Sequence, residues 1–293
     1  MNRLEKSLTG LLTALALGGC AAGDGQPGSE PRLLADGFAF TEGPIADADG
    51  NIYFSDIPNN RIHYWSTTEE ELSLFRANTM GANGLFFGPD GHLHAAEGGG
   101  ARITRMDDLA RTEILVNRHD NRPFNSPNDL WIDDDGGIYF TDPRYGNESN
   151  LPQPGYFVYY LPPDGDTAHP IITDLERPNG IIGTPDGETL YVADHGGDQT
   201  WAYDIEAPGQ VASPVLAAGQ GSDGVTLDSQ GHLYLTGGNH VSVYDPQTGE
   251  RLDQIEFPEA PSNMTFGGPD RRTLFVTART GFYSIPMDVR GAY

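Results

Sequence analysis

Apolar and polar residues alternate in short stretches along the chain, and each stretch follows a turn rich in Gly and Asp. A period of two is typical of β-strands, and no segment of the body sustains the period of an amphipathic helix. This sequence repeat of a turn and a strand occurs six times, as DADGNIYFSD, GPDGHLHAAE, DDDGGIYFTD, TPDGETLYVAD, DSQGHLYLTG and GPDRRTLFVTA. The turn positions, spaced by 41, 45, 51, 44 and 40 residues, are Gly50, Gly91, Gly136, Gly187, Gly231 and Arg271. Six repeats of this length predict an all-β fold, a six-bladed β-propeller with four-stranded antiparallel blades.

A second pattern lies inside the first, because the residue eight positions before each turn position is Asn, Asp or Glu. The first strand of each propeller blade lines the central channel, so these positions predict one ring around the axis. Asn and Asp are also common in turns, but six oxygen-bearing side chains at a constant offset favour a binding site. Carboxylate and amide oxygens are the ligands that Ca²⁺ prefers. The ring residues are Glu42, Asn83, Asn128, Asn179, Asp223 and Asn263.

The N-terminus is typical of a targeting segment. A basic start precedes an apolar run that is too short to span a bilayer and that ends at Leu17-Gly18-Gly19-Cys20. This ending resembles the lipobox of bacterial lipoproteins, although a plain secretory signal with an incidental cysteine is the alternative. We therefore expect a signal peptide at residues 1–19, lipidation of Cys20, a flexible tether at 20–31 and the propeller at 32–293. The protein would then be an exported bacterial lipoprotein of the cell envelope that touches the membrane only through its lipid.

The composition excludes several classes of function. The formal net charge is −25, whereas a protein that binds nucleic acid needs a surplus of Lys and Arg. Lys6 is the only lysine, so the propeller has none for Schiff-base chemistry or for a phosphate-binding P-loop. Cys20 is the only cysteine, which excludes an intrachain disulfide and a thiolate metal site. No GxSxG nucleophile elbow occurs.

Five longer motifs lie around the ring positions, namely TEGP from Thr41, FNSPNDL from Phe124, GGIYFTDPRYG from Gly136, RPNGI from Arg177 and SDGVTLD from Ser222. With these motifs the chain resembles the senescence-marker-protein/gluconolactonase family, which includes the regucalcin-like proteins, from about Leu33 to the C-terminus. This resemblance implies a hydrolase that opens a small lactone or sugar lactone with the help of one divalent cation. The cation implied first is Ca²⁺, and Mg²⁺, Mn²⁺ and Zn²⁺ are alternatives.

The resemblance also implies roles for individual residues. Glu42, Asn179 and Asp223 match metal ligands of the family, and Asp223 also matches its general acid/base. Asn128 matches a residue that contacts the substrate and, in related propellers, the metal. Direct nucleophilic attack by Asp223 is the rival mechanism. Animal members carry an arginine two residues before the substrate asparagine, whereas this chain has Ser126, so one sugar-specific contact is absent.

The loop after the second strand of each blade should lie on the same face as the ring. The longest of these, Pro143 to Pro154 in the third blade, contains Arg144 and Tyr145 and could form a lid or a substrate wall. Arg144 and, in the fourth blade, His195 are therefore candidate substrate contacts. Two other functions stay open, namely a phosphotriesterase-like hydrolase on the same ring and a non-enzymatic propeller that organises envelope proteins. We expect a monomer.

Overall fold

The computed structural model describes residues 30–107 and 109–293, so the predicted signal peptide and Cys20 lie outside the described residues. All named elements of this part of the chain are β-strands, and it holds no helix long and apolar enough to span a membrane. In chain order the strands are β1 (Arg32–Asp36), β2 (Thr41–Ala46), β3 (Ile52–Asp56), β4 (Arg61–Ser66), β5 (Glu71–Ala77), β6 (Ala82–Phe87), β7 (Leu93–Glu97), β8 (Arg102–Met106), β9 (Thr112–Val116), β10 (Arg118–His119), β11 (Arg122–Pro123), β12 (Leu130–Ile132), β13 (Ile138–Asp142), β14 (Phe157–Leu161), β15 (His169–Ile172), β16 (Pro178–Gly183), β17 (Thr189–Asp194), β18 (Gln199–Ala207), β19 (Gln210–Val211), β20 (Val215–Ala218), β21 (Val225–Leu227), β22 (Leu233–Gly237), β23 (His240–Asp245), β24 (Glu250–Glu256), β25 (Pro261–Gly267), β26 (Thr273–Ala278) and β27 (Gly281–Pro286).

The strands form six antiparallel sheets of four main strands each, which confirms the predicted six-bladed propeller. Blades one to three are β2–β5, β6–β9 and β12–β15, and blades four to six are β16–β18 with β20, β21–β24, and β25–β27 with β1. The short strand β19 extends β18, and β10 pairs with β11 as a separate ribbon. Each innermost strand contacts the innermost strand of the next blade, and β2 contacts β25, so these strands close a ring around the channel.

The sixth blade is closed by the start of the described chain. Strand β1 pairs antiparallel with β27, with Leu33 opposite Tyr283 and Asp36 opposite Gly281. The outermost strand of the last blade therefore comes from residues that precede the first blade. This pairing joins the two ends of the domain and gives β27 a partner on its outer side.

Left-handed backbone occurs at all six predicted turn positions. The φ angles at the five glycines lie between 71° and 89°, and φ at Arg271 is 59°. Each of these residues donates its N–H to the carbonyl three residues earlier, as Gly50 does to Asp47 at 3.0 Å. Glycine adopts this conformation without a steric penalty, whereas Arg271 adopts it at a cost of about 1–2 kcal/mol. The sixth repeat thus keeps the turn although it lacks the glycine.

Apolar side chains of neighbouring sheets pack against each other to form the core. At the closure, Ile52, Phe54 and Trp65 of the first blade cluster with Phe275 and Phe282 of the sixth. The rings of Phe54 and Phe282 stack with centroids 4.4 Å apart. Burial of one such side chain stabilises the fold by about 1.5–3 kcal/mol, so this cluster fastens the last blade to the first.

Candidate active site

The ring residues lie at the inner ends of the blades, where the innermost strands begin. Glu42, Asn83, Asn179 and Asn263 are on β2, β6, β16 and β25, and Asn128 and Asp223 each lie two residues before β12 and β21. In the four blades where the residue is part of the strand, the pairing register shifts at this point. A β-bulge re-aims the side chains beside it. The shift in pairing register therefore lies at the point where the ring side chains leave the sheet.

Glycines after the ring residues allow the innermost strands to approach each other closely. A Cβ atom on Gly43, whose φ is +50°, would lie 2.1 Å from the carbonyl oxygen of Asn83 in the next blade. A Cβ atom on Gly180 would lie 2.7 Å from the carbonyl oxygen of Asp223. No side chain fits at these distances. Glycine at this position therefore allows each of these innermost strands to lie against the backbone of the next blade.

An aspartate at the end of the second strand fixes the segment that leads to the ring in three blades. Its carboxylate accepts hydrogen bonds from the N–H groups three and two residues before the ring residue. In the third blade Asp142 accepts from Asn125 at 2.8 Å and from Ser126 at 2.7 Å. Burial raises the pKa of Asp142 to about 7, and these two N–H donors oppose that rise. The corresponding acceptors in the first and fourth blades are Asp56 and Asp194.

Three of the four predicted metal ligands are in direct electrostatic or hydrogen-bond contact. The Asn179 Nδ2 atom donates to Asp223 Oδ1 at 2.7 Å, and Asp223 lies close enough to Glu42 for the two carboxyl groups to influence each other. Glu42 is 3% exposed and Asn179 is 2% exposed. Burial, and then the charge of Asp223, raise the pKa of Glu42 well above its usual range. Burial also raises the pKa of Asp223, against the hydrogen bond from Asn179.

The fourth predicted ligand, Asn128, is held by its backbone between two blades. Its side chain is buried, its N–H donates to the carbonyl of Thr141 at 2.9 Å, and its own carbonyl accepts from Gly84 at 2.8 Å. These bonds tie the third ring position to the second blade. They fix the place of Asn128 in the ring, while its role toward metal or substrate stays a prediction.

A third carboxylate, Asp129, lies buried in the channel and was not singled out in the sequence. Its Oδ1 atom accepts from the N–H of Leu130 at 2.9 Å, and burial raises its pKa to about 7. Its negative charge further raises the pKa of Glu42. The repeat contains the signal that could have found it, because four of the other five blades have glycine at this position. The close packing of the innermost strands favours glycine at this position, and the aspartate of the third blade is an exception to it.

The two predicted substrate contacts lie in different surroundings. The His195 ring meets the Tyr145 ring edge-on with centroids 6.0 Å apart, and His195 lies close enough to Asp223 to oppose the rise in its pKa that burial causes. Arg144 instead lies near Asp142, where its charge opposes the rise in the pKa of that carboxyl that burial causes. The structure therefore brings His195 to the ring, and it places Arg144 beside the carboxylate that supports the ring from outside.

The oxygen atoms of the ring fit a hard divalent cation. Two carboxylates converge, and the Oδ1 atom of Asn83 is buried without a hydrogen-bond partner, which costs about 1–3 kcal/mol unless something binds it. The Nδ2 atom of Asn179 is used by Asp223 and Tyr145, which leaves its Oδ1 atom for a cation. Within the described ranges no three His, Cys, Asp or Glu side chains form a metal site by themselves. Amide oxygens would therefore have to complete the ligand set.

Comparisons with known proteins agree with this architecture. A family model described as the SMP-30/Gluconolactonase/LRE-like region matches residues 40–280. The chain is 31% identical over 281 residues to a gluconolactonase of Zymomonas mobilis, and the match covers 84% of this chain and 78% of that one. A solved gluconolactonase of Xanthomonas campestris is 28% identical with a TM-score of 0.81, over 89% of this chain and 95% of that one. The calcium-binding protein regucalcin of Agrobacterium tumefaciens, at 20% identity and the same coverage, has a similar fold with a TM-score of 0.76.

Proposed function

The chain belongs to the SMP-30/gluconolactonase/LRE-like family, and we propose that it is a divalent-cation-dependent hydrolase that opens a lactone ring. The observation that carries this proposal is the pair of neighbouring carboxyl groups, the buried Glu42 and the partly buried Asp223, within a ring of amides. A purely structural channel gains nothing from such a pair, because burying each charge is unfavourable. The gluconolactonase names of the relatives from Zymomonas mobilis and Xanthomonas campestris support the substrate class.

The cation in this proposal is Ca²⁺, with Mg²⁺, Mn²⁺ and Zn²⁺ as alternatives, and Glu42, Asn128, Asn179 and Asp223 would hold it. Two carboxylates match the charge of one divalent cation, and an all-oxygen donor set suits Ca²⁺ better than it suits a metal that prefers nitrogen or sulfur. When bound, the cation would supply a Lewis acid that polarises the lactone carbonyl. The calcium-binding regucalcin that shares the fold supports this choice of cation.

Asp223 is the residue to which we assign proton transfer. The hydrogen bond from Asn179 at 2.7 Å fixes its carboxylate, and its raised pKa helps it to hold a proton. Asp223 takes one proton from the attacking water while the water oxygen bonds to the carbonyl carbon. It returns that proton to the ring oxygen when the carbon–oxygen bond breaks. One water is consumed, and the product is a hydroxy acid.

Hydrolysis of five- and six-membered lactones, measured with and without a chelator, tests the proposal, and one phosphotriester is included. We expect lactone hydrolysis that is lost on chelation and restored by Ca²⁺. Hydrolysis of the phosphotriester alone would assign the protein to the phosphotriesterase-like alternative. No hydrolysis of either substrate at saturating cation would contradict the enzyme and favour the non-enzymatic propeller.

Two variants at equivalent ring positions separate proton transfer from substrate orientation. Asp223→Asn keeps a carbonyl oxygen but removes the base, so turnover at saturating Ca²⁺ should fall by about 10²–10⁴-fold. Asn128→Ala should raise KM more than it lowers kcat if Asn128 mainly orients the substrate. Near-normal turnover by the Asp223→Asn variant would contradict the acid/base role.

We also propose that the propeller is an exported monomer, tethered to a membrane of the bacterial envelope by a lipid on Cys20. The lipobox-like sequence supports this anchor. A small-molecule lactone would then be hydrolysed outside the cytoplasm, within reach of the membrane surface.

A further inference from the structure

The hydroxyl of Tyr145 lies at the ring, although the residue comes from a loop outside the innermost strands. This loop, residues 143–156, connects β13 to β14. The Tyr145 Oη atom lies 2.7 Å from Asn179 Nδ2, the same nitrogen that donates to Asp223. The residue is nevertheless 42% exposed, so it extends from the ring to the solvent-exposed mouth of the channel.

The donor and acceptor roles at this contact leave one hydrogen unused. The carboxylate of Asp223 requires the nitrogen of the Asn179 amide to face it, and that nitrogen is therefore also the atom at Tyr145. An amide nitrogen only donates, so Tyr145 Oη accepts and keeps its own hydrogen. Among the described residues no acceptor takes that hydrogen. A substrate at the mouth could accept it.

Arg177 contacts the ring of Tyr145 and supports its position. The guanidinium of Arg177 lies 5.4 Å from the centroid of the Tyr145 ring and 5.3 Å from that of Tyr156, so it is held between two rings of one loop. It also forms an ion pair with Glu148 of that loop. The backbone N–H of Arg177 is in turn bound by Asp194 at 2.7 Å. The hydroxyl is therefore presented by a supported side chain, as a preorganised donor requires.

We propose that Tyr145 is a catalytic residue whose hydroxyl donates a hydrogen bond to the carbonyl oxygen of the lactone, more strongly as that oxygen becomes negative. The proposal rests on the lactone-hydrolase function proposed above. The Tyr145 proton stays on the phenol throughout, so water remains the only other reactant. Loss of one such donor lowers turnover by about 10²–10³-fold in enzymes that stabilise an oxyanion.

The test compares Tyr145→Phe with the matched control Tyr156→Phe. Both variants keep an aromatic ring against Arg177 and lose one hydroxyl, but only the first hydroxyl is at the ring. With a six-membered lactone at saturating Ca²⁺, we expect Tyr145→Phe to lower kcat by about 10²-fold with little change in KM. Tyr156→Phe should stay within about twofold of wild type.

Thermal unfolding with a Ca²⁺ titration gives a second readout, and both variants should keep the Ca²⁺-induced rise in Tm of wild type. Equal kcat for the two variants, or a faster Tyr145→Phe, would overturn the proposal and leave the lactonase function standing. Loss of the Ca²⁺-induced rise in Tyr145→Phe would also overturn it, because the hydroxyl would then act by holding Asn179. A wild-type protein that hydrolyses no lactone would instead refute the proposed function, before any variant is compared.

Discussion

The repulsion between Glu42 and Asp223 makes a prediction whose sign depends on the cation. Glu42→Gln preserves the shape of the side chain and an oxygen that can accept from the N–H of Gly43, but it removes one buried charge. Two unit charges about 4 Å apart repel by about 4 kcal/mol at an effective dielectric constant of about 20. Because a proton shared by the two carboxyl groups relieves part of this, we expect about 1–3 kcal/mol of stabilisation in the metal-free protein at pH 8. For a domain of this size that raises Tm by about 2–10 °C.

The same substitution should be unfavourable when Ca²⁺ is present. A ligand at 1,000 times its dissociation constant stabilises the folded state by about 4.1 kcal/mol. Glu42→Gln removes one of the two charges that attract the cation, so this gain should largely disappear. The order of the two melting temperatures should therefore invert between a chelating buffer and one with millimolar Ca²⁺.

Melting curves of wild type, Glu42→Gln and the exposed control Glu71→Gln, recorded in both buffers, test this reasoning. The advantage of Glu42→Gln in chelator should grow from pH 5 to pH 9. A carboxyl group whose pKa is raised in the folded state makes the protein less stable as the pH rises toward that raised pKa. Wild type has this carboxyl group at residue 42, and the variant lacks it. A lower Tm than wild type in chelator would refute the repulsion. An unchanged response to Ca²⁺ would refute Glu42 as a ligand.

Three further outcomes follow from other parts of the molecule. Burial raises the pKa of Asp129 to about 7, so metal-free wild type should lose stability as the pH rises from about 4 to 7. Asp129→Asn should remove about 2–3 kcal/mol of that loss between pH 5 and pH 8, as measured by urea unfolding. Asp194→Ala strands the N–H groups of Glu176 and Arg177 and should lower stability by about 2–5 kcal/mol in the same assay, whereas Asp194→Asn should lose less. Cys20→Ser should move the protein from the membrane fraction to the soluble exported fraction with activity unchanged, and a wild type that carries no lipid would contradict the anchor.

The fold was predictable because each blade repeats a local rule that the chain can satisfy by itself. A left-handed turn followed by alternating apolar residues specifies a hairpin wherever it occurs, and the spacing of six such hairpins specifies the blades. Arg271 shows the limit of that signal, because its turn is kept with φ at 59° although glycine is absent. The offset to the ring was predictable for the same reason, since Glu42 lies eight positions before Gly50 and one strand with its turn occupies that stretch.

The closure of the propeller could not be predicted in the same way. The segment Arg32–Asp36 precedes the first repeat, and its pattern does not indicate which strand it joins. Its partner β27 is about 250 residues away in the chain, so only the complete ring brings the two together. The contact of Tyr145 with Asn179 is hidden for a similar reason, because a loop has no periodicity that fixes the direction of its side chains.

The carboxylates of the channel are best explained by something that binds there. The repeat shows that the fold does not need them, because the ring position is occupied by asparagine in four blades and the next position by glycine in four. Glu42, Asp129 and Asp223 replace neutral residues with buried or partly buried acids whose pKa values are raised, and each replacement lowers the stability of the empty propeller at neutral pH. A bound positive charge reverses the sign of that effect for the carboxylates that contact it. An active site built into a symmetric scaffold should depart from the repeat in this way. Its residues should be unfavourable for folding and favourable for binding a cation.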